Sequence, residues 1–218
     1  MKRTERHHLK EDEMAHGVHW LVAFYEKYTR EIIIVAGAVV LALVVFGGLL
    51  LIRSHARSVQ SRAAGEVTAL ASQLEAKPGL LAELDKMAAK GRGSRRASLE
   101  LARYYAERSD WAKADSYLAR MSSAPQDLLY YQGQDLKGQV AAGRKDFDGA
   151  IAVFKKIIDA KPKVYPLDAA LYHLAQAQEL KGDTAAAVES YKKLQTEYPQ
   201  SYYGYEASLK ASKLEARR

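Results

Sequence analysis

Ser190 and Lys193, in the run SYKK, have the S-x-x-K spacing that sets a hydroxyl near an amine. In a hydrolase that pair makes serine the nucleophile and gives it a base. Here neither an S-D-N nor a K-T-G segment accompanies it, and the run falls on a packing helix, so the match is one of spacing only. His7, His8, His16 and His19 cluster near the N-terminus. His16 and His19 stand three apart, where one helix face could offer both to a metal. No cysteine exists in the chain and no clear carboxylate completes a ligand set, so the cluster reads as an interfacial polar face. His173 stands alone and reads as a surface or groove-lining residue. Glu11, Asp12 and Glu13 form a solvated charge run or a docking motif. GRGS at 91–94 follows no strand and reads as a turn. A phosphate-binding loop, a dinucleotide fingerprint, H-E-x-x-H and G-x-S-x-G are all missing. With no cysteine, disulfides, thiolate metal sites and a cysteine nucleophile are excluded, and with no asparagine so is N-glycosylation. The expectation is a non-enzyme without catalytic residues, metal or cofactor.

The elements that would position such groups divide the 218 residues unevenly. Residues 32–52, IIIVAGAVVLALVVFGGLLLI, carry no charge. As a helix they reach roughly 30 Å, the thickness of a bilayer core. A buried core helix of that length would keep a polar face, and a cleaved signal would have a shorter apolar run and a small-residue cleavage site. The segment therefore reads as a transmembrane anchor that stays. Before it, residues 1–31 form a charged tail and a juxtamembrane amphipathic helix, with Trp20, Phe24, Tyr25 and Tyr28 where aromatic rings favour the interface. The tail is charge-balanced, so the formal net charge of +7 is carried after the span. A spread excess without zinc-finger spacing, an aromatic–basic pattern or a long Lys/Arg block is not the footprint of a nucleic-acid binder. Flanking charges, Lys27 and Arg30 against Arg53, Arg57 and Arg62, lean slightly towards a cytoplasmic C-terminal side.

Residues 53–94 supply a stalk and leading helices, with breaks at KPG (77–79) and GRGS, and 53–76 either continues the membrane helix outwards as a stalk or packs on the next domain. Beyond them the chain repeats. Asp110-Trp111, Asp146-Phe147 and Asp183-Thr184 are followed by Ala114, Ala150 and Ala187, at separations of 36 and 37 residues. Each Asp stands where a helix N-cap is wanted, and each Ala where two helices approach most closely. Leu118, Phe154 and Tyr191 follow four positions later, and Pro125, Pro162 and Pro199 end the units. In front of each Asp lies another helical stretch. The pattern is a helical hairpin, three times over.

These positions resemble the tetratricopeptide repeat (TPR). Leu171, Leu174, Ala175, Gly182, Ala187, Tyr191 and Pro199 match its signature in the best unit. Gly138, Phe147, Ala150, Phe154 and Pro162 match it in the middle unit, which departs at Gln134 and Lys137. Leu101, Ala102, Tyr105, Trp111 and Ala114 match it in the first, whose Pro125 comes one residue early. The resemblance implies an all-α fold: a single transmembrane helix followed by a TPR-like helical-hairpin solenoid. Its three repeats would occupy 95–128, 131–164 and 168–201, within 95–201, with a C-terminal capping helix over 202–218. The layout, together with SRRASLELARYYAERSDWAKADSYLARM, is similar to a bacterial inner-membrane family, the ancillary Sec-translocon subunits of a periplasmic chaperone network. That resemblance implies a cytoplasmic N-terminus and a periplasmic repeat domain, against the lean of the flanking charges.

Stacked hairpins bury what none can bury alone, and their first helices line an inner groove. Matching TPR groove positions selects Arg96, Arg103, Asp135, Gln139, Tyr172, Gln176 and Tyr203. The expected partners are proteins, as a peptide segment or a partner helix, with the Sec translocon or periplasmic chaperones implied by the resemblance. The membrane is engaged through 32–52, and nucleic acid is not expected. The expected function is a membrane-anchored TPR adaptor for protein–protein interactions in translocation or envelope protein folding. The alternative is a scaffold for self-association, a homo-oligomer, or assembly of a membrane complex.

Overall fold

The computed structural model describes residues 3–91 and 93–216. Every α-helix and turn among them belongs to an all-α fold, with no strand among the described residues. The side chains of residues 1–26 lie outside the described set, and with them His7, His8, His16, His19 and the Glu11–Glu13 run. The chain divides into two compact units, Met1–Ser58 and Val59–Arg218.

The first unit is helical, with one kink among its described residues. Helix α1, Arg3–Ala71, begins in it, and its path has one non-helical residue, Tyr28, with φ −116° and ψ 17°. The break falls just ahead of the apolar run, where the sequence separates an interfacial helix from a span. Lys27–Arg53 is long and apolar enough to cross a membrane, with a mean hydropathy of 2.9 over an 18-residue stretch of which none is buried.

The second unit takes in the end of α1 and everything after it. Val67 and Leu74 are buried there against Leu84, Ala88 and Leu99. Residues 53–76 thus pack, at Val67 and Leu74, on the helices that follow. A short 3₁₀ turn, Pro78–Leu80, leads into α2, Leu81–Ala89. Three hairpins follow: α3 (Ser94–Glu107) with α4 (Trp111–Ala119), α5 (Leu128–Gly143) with α6 (Phe147–Ala160), and α7 (Leu167–Lys181) with α8 (Thr184–Glu197). Helix α9, Tyr202–Glu215, closes the series against α8 and α7. Its Ala207, Ala211 and Leu214 share a core with Tyr191 and Leu194.

The repeated Asp makes each hairpin turn in the same way. Asp110, Asp146 and Asp183 have nearly identical backbone angles, φ near −82° and ψ near 71°. Their carboxylates accept from the amides of Lys113, Gly149 and Ala186 at 3.2, 3.0 and 3.1 Å. A carboxylate there satisfies a helix-end N–H that has no partner in its own helix. Ala114, Ala150 and Ala187 are fully buried, and Phe154 and Tyr191 with them. In the first hairpin, helix α4 is nine residues long, Trp111–Ala119, against fourteen for α6 and for α8.

The residue before each capping Asp adopts positive φ: Ser109 at 59°, Lys145 at 66° and Gly182 at 87°. Only the third turn carries the residue that occupies this region without steric cost. Ser109→Gly and Lys145→Gly are therefore expected each to raise stability by about 0.5–1 kcal/mol, and Gly182→Ala to lower it by a similar amount. Thermal melts of the three variants give the signs directly. A destabilised Lys145→Gly would show that strain at this turn is negligible.

Candidate functional site

The first helices α3 and α5, with Tyr165 and Pro166 of the loop before α7 and Ala169 of α7 itself, line a groove of about 560 Å³. Helix α3 gives it Arg103, Ala106 and Glu107, helix α5 gives Gln132, Asp135 and Gln139, and Tyr203 of α9 bounds it. Four of the seven residues singled out by the repeat register thus line one cavity: Arg103, Asp135, Gln139 and Tyr203. Arg96 lies instead in a neighbouring hollow of about 370 Å³, which also touches Arg103 and Glu107. There it is tied to Glu100 at 2.9 Å. Tyr172 and Gln176 are not among the lining residues of either hollow. Tyr203 lies over Tyr172, with ring centroids 5.0 Å apart. The equivalent positions in the preceding hairpins, Leu99 and Asp135, are buried.

The floor of the groove is a buried carboxylate. Asp135 is 5% exposed. Its Oδ2 accepts from Gln139 Nε2 at 2.7 Å, and its Oδ1 lies 2.8 Å from His173 Nδ1. With Nδ1 protonated, His173 donates from the next hairpin's first helix. Burial, and next the charge and hydrogen bond of Asp135, hold the Tyr165 phenol far above its ordinary value. A buried carboxylate needs several donors to offset its lost hydration, and here they come from within α5, from α7 and from the loop between hairpins. The network binds neighbouring repeats together, and it uses Asp135 internally rather than leaving it free for a cation.

Other phenols in the stack behave in the same way. Tyr117 donates to Asp85 Oδ1 at 2.9 Å, and burial together with that bond pushes its pKa up to about 12. Tyr191 is buried and donates to Glu179 Oε2 at 2.9 Å, and it is raised further still. Burial raises Tyr172 and Tyr203 as well. A raised folded-state pKa means that the folded protein keeps its phenolic proton where the unfolded chain loses it. That stability is fully present below the ordinary phenol pKa of about 10 and is lost as pH rises through the folded value. Thermal midpoints are therefore expected to fall steadily between about pH 10 and about pH 12. Changing Tyr191 to Phe should flatten part of that fall, and an unchanged profile would separate these phenols from stability.

Ser190 and Lys193 are not paired with each other. The Ser190 hydroxyl donates to Gln178 Oε1 at 2.7 Å, while Lys193 reaches Glu197 at 3.9 Å. Among the described residues no group of three His, Cys, Asp or Glu is placed to hold a metal. The pairing of His173 with Asp135 was not visible from residue types alone. Its signal was the spacing: His173 lies 38 residues after Asp135, one repeat and one position further on.

In comparisons with known proteins, neither a curated protein nor a solved structure matches the chain. Residues 169–201 do match a family of known architecture. That stretch covers most of α7, all of α8 and the turn into α9, and the model it fits is a tetratricopeptide repeat.

Proposed function

We propose that this chain is a membrane-anchored adaptor whose repeat unit binds protein segments in the groove of α3, α5 and α7. The carrying observation is the groove itself, about 560 Å³ lined by repeat-equivalent residues of successive first helices. A TPR-type stack supports a protein–protein interaction role, and TPR proteins are in general adaptors rather than enzymes. The membrane anchor rests on Lys27–Arg53, where Ile33, Val35, Leu41 and Phe46 are each more than 60% exposed. A helix with such a surface favours lipid over water. The resemblance in layout supports the finer reading: the bacterial inner membrane, a single pass, a cytoplasmic N-terminus and a periplasmic repeat unit working in protein translocation or envelope folding. Sec translocon components and periplasmic chaperones are the partners that reading nominates.

A topology reporter fused after Arg218, combined with a photo-crosslinking residue at Gln139 in living cells, tests this reading. The expected result is a periplasmic reporter and crosslinks to translocon components or emerging polypeptides. A cytoplasmic reporter removes the translocon setting. Absence of any protein crosslink from position 139 removes the groove.

One observation favours the scaffold alternative. On α9, Tyr202, Tyr205 and Leu209 are 73%, 64% and 53% exposed, and their spacing puts them on one helix face. A crosslinker at Tyr205 that joined two copies of the chain would assign that face to self-association.

A further inference from the structure

We infer that the groove takes an extended polypeptide through one uncharged apolar side chain, seated between Trp111, Leu128, Tyr165 and Tyr203, while the peptide backbone completes the side-chain amide of Gln132. The inference rests on the adaptor reading and specifies what the groove recognises.

The first observation is an unfilled hydrogen-bonding position. Gln132 Oε1 is buried, lies on a side chain that lines the groove, and has no hydrogen-bond partner. An amide oxygen left in that state costs free energy, which a ligand donor would recover once the Gln132 side chain turns its amide into the groove. The second is the character of the walls. Trp111, Leu128, Leu136, Tyr165 and Pro166 are all in the lining, and Leu128 is 44% exposed. The third is charge. Asp135 is consumed by Gln139 and His173, and Arg103 reaches Glu100 at 3.5 Å. Glu107 stands one turn from Arg103 on α3, so opposite charges neighbour each other along the rim. The lining therefore mixes one cation with two acids, of which Asp135 is already hydrogen-bonded, and it offers no cluster of one sign for an acidic or basic anchor, whereas its apolar walls complement an uncharged one.

The amide also selects the conformation of the ligand. A helical ligand has its mid-helix N–H groups already bonded within itself. An extended segment carries free N–H and C=O groups in alternation and can satisfy Gln132 in either orientation of its amide. Three helices packed at about 8–10 Å spacing span about 16–20 Å, the length of about five or six extended residues.

The probe is an array of random twelve-residue peptides, and the protein is the full chain in detergent carrying Trp20→Phe, so that Trp111 is its only indole. Peptides that bind are expected to shift Trp111 emission and to crosslink at position 139. They should share one uncharged apolar residue, whose replacement by Asp or by Lys weakens binding at least about tenfold. Backbone N-methylation, one amide at a time, should find one position where methylation costs about fivefold to tenfold. In Gln132→Leu, checked for an intact melting transition, that penalty should vanish. Peptides that crosslink at position 139 but share a charged anchor, or that are indifferent to N-methylation, overturn this inference and leave the adaptor groove standing. Failure of every peptide to bind or to crosslink at position 139 overturns the groove reading and this inference with it.

Discussion

Phe154→Ala is expected to destabilise the repeat unit by about 3–5 kcal/mol, the largest effect of any single side-chain truncation considered. Phe154 is fully buried in α6 and closes against α5, where Gly138 leaves room for its ring. A Cβ at Gly138 would stand 2.5 to 3.0 Å from three ring atoms. The ring has no second place to go, because it also lies beside His173 of the next hairpin, with centroids 5.7 Å apart. Truncation opens a cavity shared by two hairpins, in a fold where each unit is stabilised mainly by its neighbours. Denaturant unfolding should show the loss, with the middle and last hairpins uncoupling. The complementary variant, Gly138→Ala, should cost about 1–3 kcal/mol by overpacking. Adding Phe154→Leu to Gly138→Ala should cost less than the sum of the two single changes, because the smaller side chain makes room for the new methyl. Additive losses would mean that the two residues do not share one contact.

The pairing of Phe154 with Gly138 shows why the fold was legible before the structure. Asp, Ala, a large residue and Pro recur at fixed offsets, and each solves a local problem: capping a helix, allowing close approach, filling the gap, ending the unit. Such solutions depend on near neighbours in the chain and leave a period in the sequence. The groove was less legible. Arg103, Gln139 and Gln176 are equivalent in the repeat register, yet only the first two line the cavity. The third lies outside the lining and bonds Tyr172, against which α9 packs Tyr203, a contact set at the end of the stack. Trp111 was read as a repeat signature and Gln132 was not singled out at all. Their place in the lining depends on where α4 and α5 meet, and no single-repeat pattern encodes that. The end of α1 was ambiguous for a related reason: Val67 and Leu74 have the same spacing in a free stalk as in a buried face.

Asp135→Ala is the second large effect, an expected loss of about 2–4 kcal/mol. Removing the carboxylate takes the acceptor from Gln139 and from His173 and the charged neighbour from Tyr165. His173 has 16% of its side-chain surface exposed, so water replaces the lost acceptor only in part. Asp135→Asn should cost less, about 1–2 kcal/mol, because one oxygen still accepts while the new NH₂ faces donors. The decisive measurement is a double-mutant cycle with His173→Ala. Asp135 and His173 lie on helices of different hairpins, so a coupling of about 1–3 kcal/mol would locate the carboxylate's role in joining them. A coupling near zero would mean that Gln139, on the same helix, carries the whole interaction. The cycle also bears on recognition. If the network only fixes the groove floor, Asp135→Asn should leave the identity of the preferred peptide anchor unchanged while lowering stability. A switch in Asp135→Asn to a charged anchor would instead make Asp135 a direct reader of the ligand.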